Sequence, residues 1–385
     1  MNTLQQACYD VLYKNMNYTN ESLYFLYDTE SPLAKLLSDA YKSILPQSHV
    51  SREFIKPPQP LYRGWLINPD NPHVTTQARV ITNHNIEENI RVWLDHHIVL
   101  DVTSEETVDP QIEWIKNELL SLPSWSIVIL VQSANFRLST FRIRLELFNR
   151  WIHVIEHNHL AYIKEEEFST FADCLIYRTP EYIRQQQVFI DLFAGEKTTR
   201  LISIDGSELF FGPVDKVRGN TGDYSNVLNK GWTLPVWEVL TEALDLSSVH
   251  GECLIDTYPW EDFSIRICKP FKLTIENGRV LQSSQFPADF QKIYNMIYEN
   301  ENGEVLIREL GLWLNPAITT DTPLSDINFH ERKVWVHLSM GKKHGLYWKK
   351  LPKTEVQRFH IDIFIALESM YIWEEKVFEN NKWIV

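Results

Sequence analysis

The chain is 385 residues long, 44% hydrophobic and 12% aromatic, enough apolar material for two or three packed domains and unlike a disordered composition. Its formal net charge is −14 with no basic run, which excludes the clustered Lys and Arg that nucleic-acid binding requires. No stretch of about 18 apolar residues occurs, and the opening MNTLQQACYDVLYKN lacks a basic start followed by an apolar run, so neither a membrane span nor a secretory leader is expected.

Residues 1–20 predict a short amphipathic helix. The segment SLYFLYDTESPLAKLLSDAYKSIL (22–45) predicts strand, turn and helix, with Asp28, Thr29 or Ser31 as cap and Pro32 in the first turn. A strand feeding a helix recurs at ENIRVWLDHHIVLDVTS (88–104) and again from SIVILVQ (126–132), a continuous apolar run of the kind found in buried parallel strands. HVIEHNHL (153–160) predicts a strand and loop, and TPEYIRQQQVFIDLFAGEK (179–197) a helix. This alternation argues for an α/β domain with a mostly parallel sheet over 1–195. After residue 196 the texture changes. TTRLISIDGSELFFG predicts a hairpin on an Asp-Gly turn. Short strands follow at ECLIDTYP, FSIRICKPFKLTIENGRVLQSS, VWVHLSMG, FHIDIFI and KVFENNKWIV, with one helix near 286–300. The second domain, 196–385, is therefore expected to be β-rich α+β.

No G-x-G-x-x-G or Walker pattern is present, so nucleotide cradling has no support. The four cysteines, Cys8, Cys174, Cys253 and Cys268, lie far apart with no C-x-x-C pair and read as buried thiols of a reducing cytoplasm. Two N-terminal clusters admit an ordinary reading and a functional one. Glu156, His157 and His159 are either a strand end or a metal site. Arg137, Arg142, Arg144 and Arg150 are either an ion-paired helix face or a clamp for a substrate carboxylate.

The chemistry-bearing residue types crowd into 238–362. PVWEVLTEA carries Glu238 and Glu242, with Glu242 the competitor on register. ELGLWLN carries Glu309, HLSMGKKHGLY carries His337, His344 and Tyr347, and HID carries His360 and Asp362. On a strand, His360 and Asp362 share a face. Each is set among apolar residues, where a lone charge is costly unless paired or metal-bound. Two histidines and three carboxylates suit a two-metal hydrolytic site, with the metals roughly 3.5–4 Å apart.

In order, these four segments resemble the C-terminal motifs of the thermophilic metallo-aminopeptidases of the aminopeptidase T and aminopeptidase S type. The resemblance is carried by residues 230–365 and extends more weakly to the first strand and helix and to the closing VFENNKWIV. It implies metal ligands at Glu238, Glu309, His337, His360 and Asp362, with either glutamate as general base. A further family ligand, a Tyr seven residues after the first His, falls on His344 here, with Tyr347 the alternative if the loop is shifted. It also implies two divalent metals per chain (Zn, or Co or Mn), short peptides as substrates and a cytoplasmic homodimer. Two family glycines are replaced by Trp237 and Trp313, and Trp335 stands where a small residue is expected. With Tyr347 these rings are expected to line the substrate pocket, or to plug it in a non-catalytic peptide-binding relative. The same fold resembles the 2,5-dihydroxypyridine dioxygenases, for which His337, His360 and Asp362 would hold a single Fe(II).

Overall fold

The computed structural model describes residues 3–385 apart from 54–60, 68–74, 83–97, 100–109, 134–146, 226–229, 261–264, 320, 331, 342–356 and 358. The chain divides into two compact units. The first comprises Met1–Thr179, Gly222–Val236 and Leu324–Asp326; the second comprises Pro180–Thr221, Trp237–Pro323 and Ile327–Val385.

The first unit is built on four parallel strands in the order Val50–Glu53, Leu23–Tyr27, Ile127–Val131, His153–His157. LYFLY and IVILV are buried at every position because both faces of a parallel sheet are covered. Tyr24, Leu26, Val128, Leu130 and Val154 pack with Ile115 and Leu119 of the helix Pro110–Ser121. On the other face Phe25 lies 5.6 Å from Tyr41 of the helix Pro32–Lys42. That helix starts where the sequence indicates. Ser31 accepts a hydrogen bond from the Ala34 amide at 3.2 Å and Pro32 occupies the first turn. At the N-terminus the helix Thr3–Asp10 continues into one π-helical turn, Val11–Asn15.

A separate three-stranded antiparallel sheet, with Leu61–Ile67 between Thr75–Thr82 and Ile98–Val99, follows the Val50–Glu53 strand in sequence. The strand expected within 88–104 is represented by Ile98–Val99 alone; its neighbours 88–97 and 100–104 lie outside the described residues.

The second unit is a 13-stranded, antiparallel, curled sheet. Its central run places Glu238–Glu242, Ile307–Trp313, Trp335–Gly341 and His360–Ile365 side by side, followed by His250–Pro259. The predicted Asp-Gly hairpin forms between Thr199–Ser203 and Glu208–Phe211. The Ile265–Glu276 strand turns at Asn277–Gly278, both at positive φ (51° and 73°), as a two-residue hairpin with right-handed strand twist requires. The helix Ala288–Asn300 lays Phe290 and Tyr294 against Phe286, and Phe290 also meets Phe271 and Tyr258. The fold is therefore mixed α/β, a parallel sheet with helices followed by a large antiparallel sheet. Among the described residues no helix is long and apolar enough to cross a membrane.

Candidate metal centre

Every matched ligand that falls among the described residues sits in the second unit, on the four central strands. Directly opposed residues of antiparallel neighbours share a face. The register therefore lays the site out in rows. Glu242 opposes Glu309, which opposes Ser339, which opposes Asp362. The next row is Leu240, Gly311, His337 and Phe364, and the one after it is Glu238, Trp313 and Trp335. His360 lies two residues before Asp362 and so on the same face.

The side chains converge. Glu238, Glu309 and His337, all buried, each offer one ligand atom, and those atoms lie within 4.8 Å of one another. His337 Nε2 stands 3.4 Å from Glu309 Oε1 and 3.8 Å from Asp362 Oδ1, and His360 Nε2 stands 3.4 Å from the same Asp362 oxygen. The five differ in burial: Glu238, Glu309 and His337 are enclosed, Asp362 is half-buried and His360 is the most open. Ser339, which the sequence reading passed over, donates its hydroxyl to Asp362 Oδ1. Its signal was available, because Ser339 is two residues beyond His337 on a strand.

The electrostatics are those of too many like charges in a dry place. Burial, with the Glu309 carboxylate next to it, pushes the Glu238 carboxyl up to about 8, against the pull of His337 and the Arg332 guanidinium. Burial draws the His337 imidazole down, but Asp362, Glu309 and Glu238 outweigh it and the net shift is upward. A divalent cation suits this donor set: nitrogen and carboxylate oxygens, all buried, with net negative charge. Glu309 Oε2 is buried and has no hydrogen-bond partner among the described residues. Space for the imidazole has also been left, since a Cβ on Gly311 would come within 1.9 Å of His337 Cε1. The residues present fit a metal.

The neighbours separate into those that touch the centre and those that do not. Glu242 reaches Arg308 at 3.6 Å, a buried ion pair. Trp313 lies 6.2 Å from the His337 ring, with Arg332 over its face at 5.5 Å. Trp335 is anchored by its indole N–H, which donates to the Ile365 carbonyl at 2.6 Å. Trp237, one residue before Glu238, is fully buried and stacks on Tyr182 at 4.4 Å. His344 and Tyr347 lie outside the described residues, as do Arg137, Arg142 and Arg144. Arg150 donates to the Leu120 carbonyl at 2.7 Å. In the first unit, His157 Nε2 meets the Tyr41 hydroxyl at 2.7 Å, His159 pairs with Asp326 at 3.2 Å and Thr233 donates to Glu156. These residues serve separate internal contacts. Among the described residues Glu238, Glu309 and His337 are the group placed to hold a metal.

No family model matches the sequence, and no curated protein matches it significantly. Solved structures do. A 2,5-dihydroxypyridine dioxygenase from Pseudomonas putida KT2440 superposes with a TM-score of 0.59 at 14% identity, over 100% of this chain and 98% of its own. Wild-type AmpT from Thermus thermophilus superposes with a TM-score of 0.58 at 11% identity, over 100% and 99%. At such identities the likeness is one of fold: the chain has a distant aminopeptidase-like fold, shared with a dioxygenase, around a buried Glu/Glu/His group able to bind a metal.

Proposed function

We propose that the protein is a metal-dependent hydrolase of the aminopeptidase type, removing N-terminal residues from short peptides. The observation that supports this most is the convergence of Glu238, Glu309 and His337 beside Asp362 and His360. Two adjoining carboxylates deep in a sheet are costly to keep without a cation, and a one-metal, two-histidine site has no need of both. Two divalent cations bound there, zinc or else cobalt or manganese, would supply Lewis acidity to a scissile carbonyl and lower the pKa of a water. The protein's own share is to hold that geometry. Gly311 admits the imidazole, Ser339 orients Asp362, and Glu238 or Glu309 takes the proton from the attacking water. Trp313 and Trp335 wall the site and narrow what it admits. A homodimer working in the cytoplasm belongs to the same reading, on the family resemblance and on four unpaired cysteines.

Metal-loaded protein should release amino acid from aminoacyl chromogens, and Glu309→Gln should lower that rate by about 100-fold or more. Full binding of peptide with no turnover would instead point to the non-catalytic relative. A second reading has its own support, since His337, Asp362 and His360 form a contiguous two-histidine, one-carboxylate set and a dioxygenase shares the fold. It requires one iron per chain and oxygen uptake with a dihydroxylated ring substrate.

A further inference from the structure

Lys333 lies four residues before His337. It has the same parity as Trp335 and His337 and is paired by an isolated bridge to Asn315. Its side chain is enclosed, with the residue only 5% exposed. The ammonium lies 4.4 Å from the centre of the Trp335 ring and 5.7 Å from that of Phe364. Among the described residues it makes no hydrogen bond or ion pair through Nζ. Asp256, at the irregularity of the His250–Pro259 strand, attracts it electrostatically, but the Asp256 carboxylate is engaged by the Thr257 hydroxyl at 2.9 Å. Burial holds the amine down at about 8, more strongly than Asp256 raises it, so the ammonium form still predominates at neutral pH.

An enclosed ammonium with two aromatic faces, and among the described residues no anion in hydrogen-bond contact, is an incomplete arrangement. Ring faces compensate a cation only in part, and a desolvated charge calls for a counter-ion with hydrogen-bonding oxygens. A methionine would pack the same space between Trp335 and Phe364 without that cost. Phe364 also lies 6.0 Å from the His337 ring of the candidate metal centre. One aromatic ring thus adjoins both the ammonium and the imidazole. Successive Cα atoms of a peptide are about 3.8 Å apart, so a gap spanned by one ring corresponds to one or two residues.

We propose that Lys333 forms the carboxylate subsite of the metal-bearing face, taking the free C-terminal carboxylate of a di- or tripeptide whose amino end lies at Glu238, Glu309 and His337. This rests on the hydrolase reading above and narrows it to peptides short enough to reach both groups. Trp335, fixed by its hydrogen bond to Ile365, and Phe364 form the walls between the two ends.

The test is calorimetric titration of the zinc-loaded full-length protein with leucyl-glycine and with leucyl-glycinamide, which differ only in the terminal charge. The free acid is expected to bind on the order of tenfold more tightly or better, the scale of one charge-assisted contact. Lys333→Met should bring the acid to the affinity of the amide, and Lys333→Arg should keep a preference for the acid. Equal affinity of the two peptides for the unaltered protein, no binding of either, or a Lys333→Met variant that weakens both alike would overturn the proposal. The comparison on the unaltered protein decides even if Lys333→Met fails to fold. Leucine release is read in the same mixtures: a Lys333-dependent preference for the acid without leucine release would sustain the subsite and reject hydrolysis.

Discussion

Gly311 stands opposite His337 in the register, and the imidazole occupies the place a side chain would take. Gly311→Ala therefore forces either the ring or the strand to move. The expected cost is about 1–3 kcal/mol of stability, as for other overpacked sites, with weakened metal binding. Denaturant unfolding and a metal titration check the two effects, and full metal affinity in that variant would show that the imidazole is not a ligand. The ionisations at the site give a second residue-level expectation. In the metal-free protein Glu238 titrates near 8, above its unfolded range, and His337 is also raised. Both groups hold protons in the folded state that the unfolded chain has released. Their contribution is present in mildly acidic solution and is lost as pH rises through the folded values. Chelated protein should thus melt at a lower temperature at pH 8.5 than at pH 6, and added zinc should narrow the gap. A chelated protein that becomes more stable over that interval would contradict the assignment.

At the scale of elements, the period-two alternation of a strand explains what the sequence disclosed and what it withheld. His360 and Asp362 were readable as face-sharing partners because they are two residues apart within one strand. Glu238 and Glu242 were not separable, since four residues on a strand return to the same face. Both do point to it, and the distinction comes from the neighbouring strand, which sets Arg308 against Glu242. The Glu242–Arg308 pair, the Trp313–Arg332 stack and the space over Gly311 all depend on which strand lies beside which. That order is a long-range fact with no local signature. Trp237 shows the same limit: next to a ligand in sequence, it alternates away from it and stacks on Tyr182. Helix boundaries were legible where a cap announces them. Ser31→Ala should cost about 1 kcal/mol by removing the bond to the Ala34 amide, while metal content stays the same. Thermal unfolding and elemental analysis of one preparation test this, and loss of metal in that variant would mean the first unit influences the centre.

At the scale of the molecule, the parallel and antiparallel halves were legible from texture, buried apolar runs on one side and closely spaced strands with Asx-Gly turns on the other. The three-stranded sheet was not: Leu61–Ile67 and Thr75–Thr82 were assigned to no element, and Ile98–Val99 falls in a stretch read as another strand–helix repeat. The fold is shared by AmpT and by a 2,5-dihydroxypyridine dioxygenase, so the fold leaves the reaction open, and the donor set bears on it instead. The most direct measurement is the metal content of protein purified without chelator or nickel column, by mass spectrometry before and after zinc or manganese is added, beside Glu309→Gln. The account predicts about two divalent ions per chain, reduced in the variant. A single iron would favour the oxygenase, and no retained metal after addition would contradict the metal centre itself.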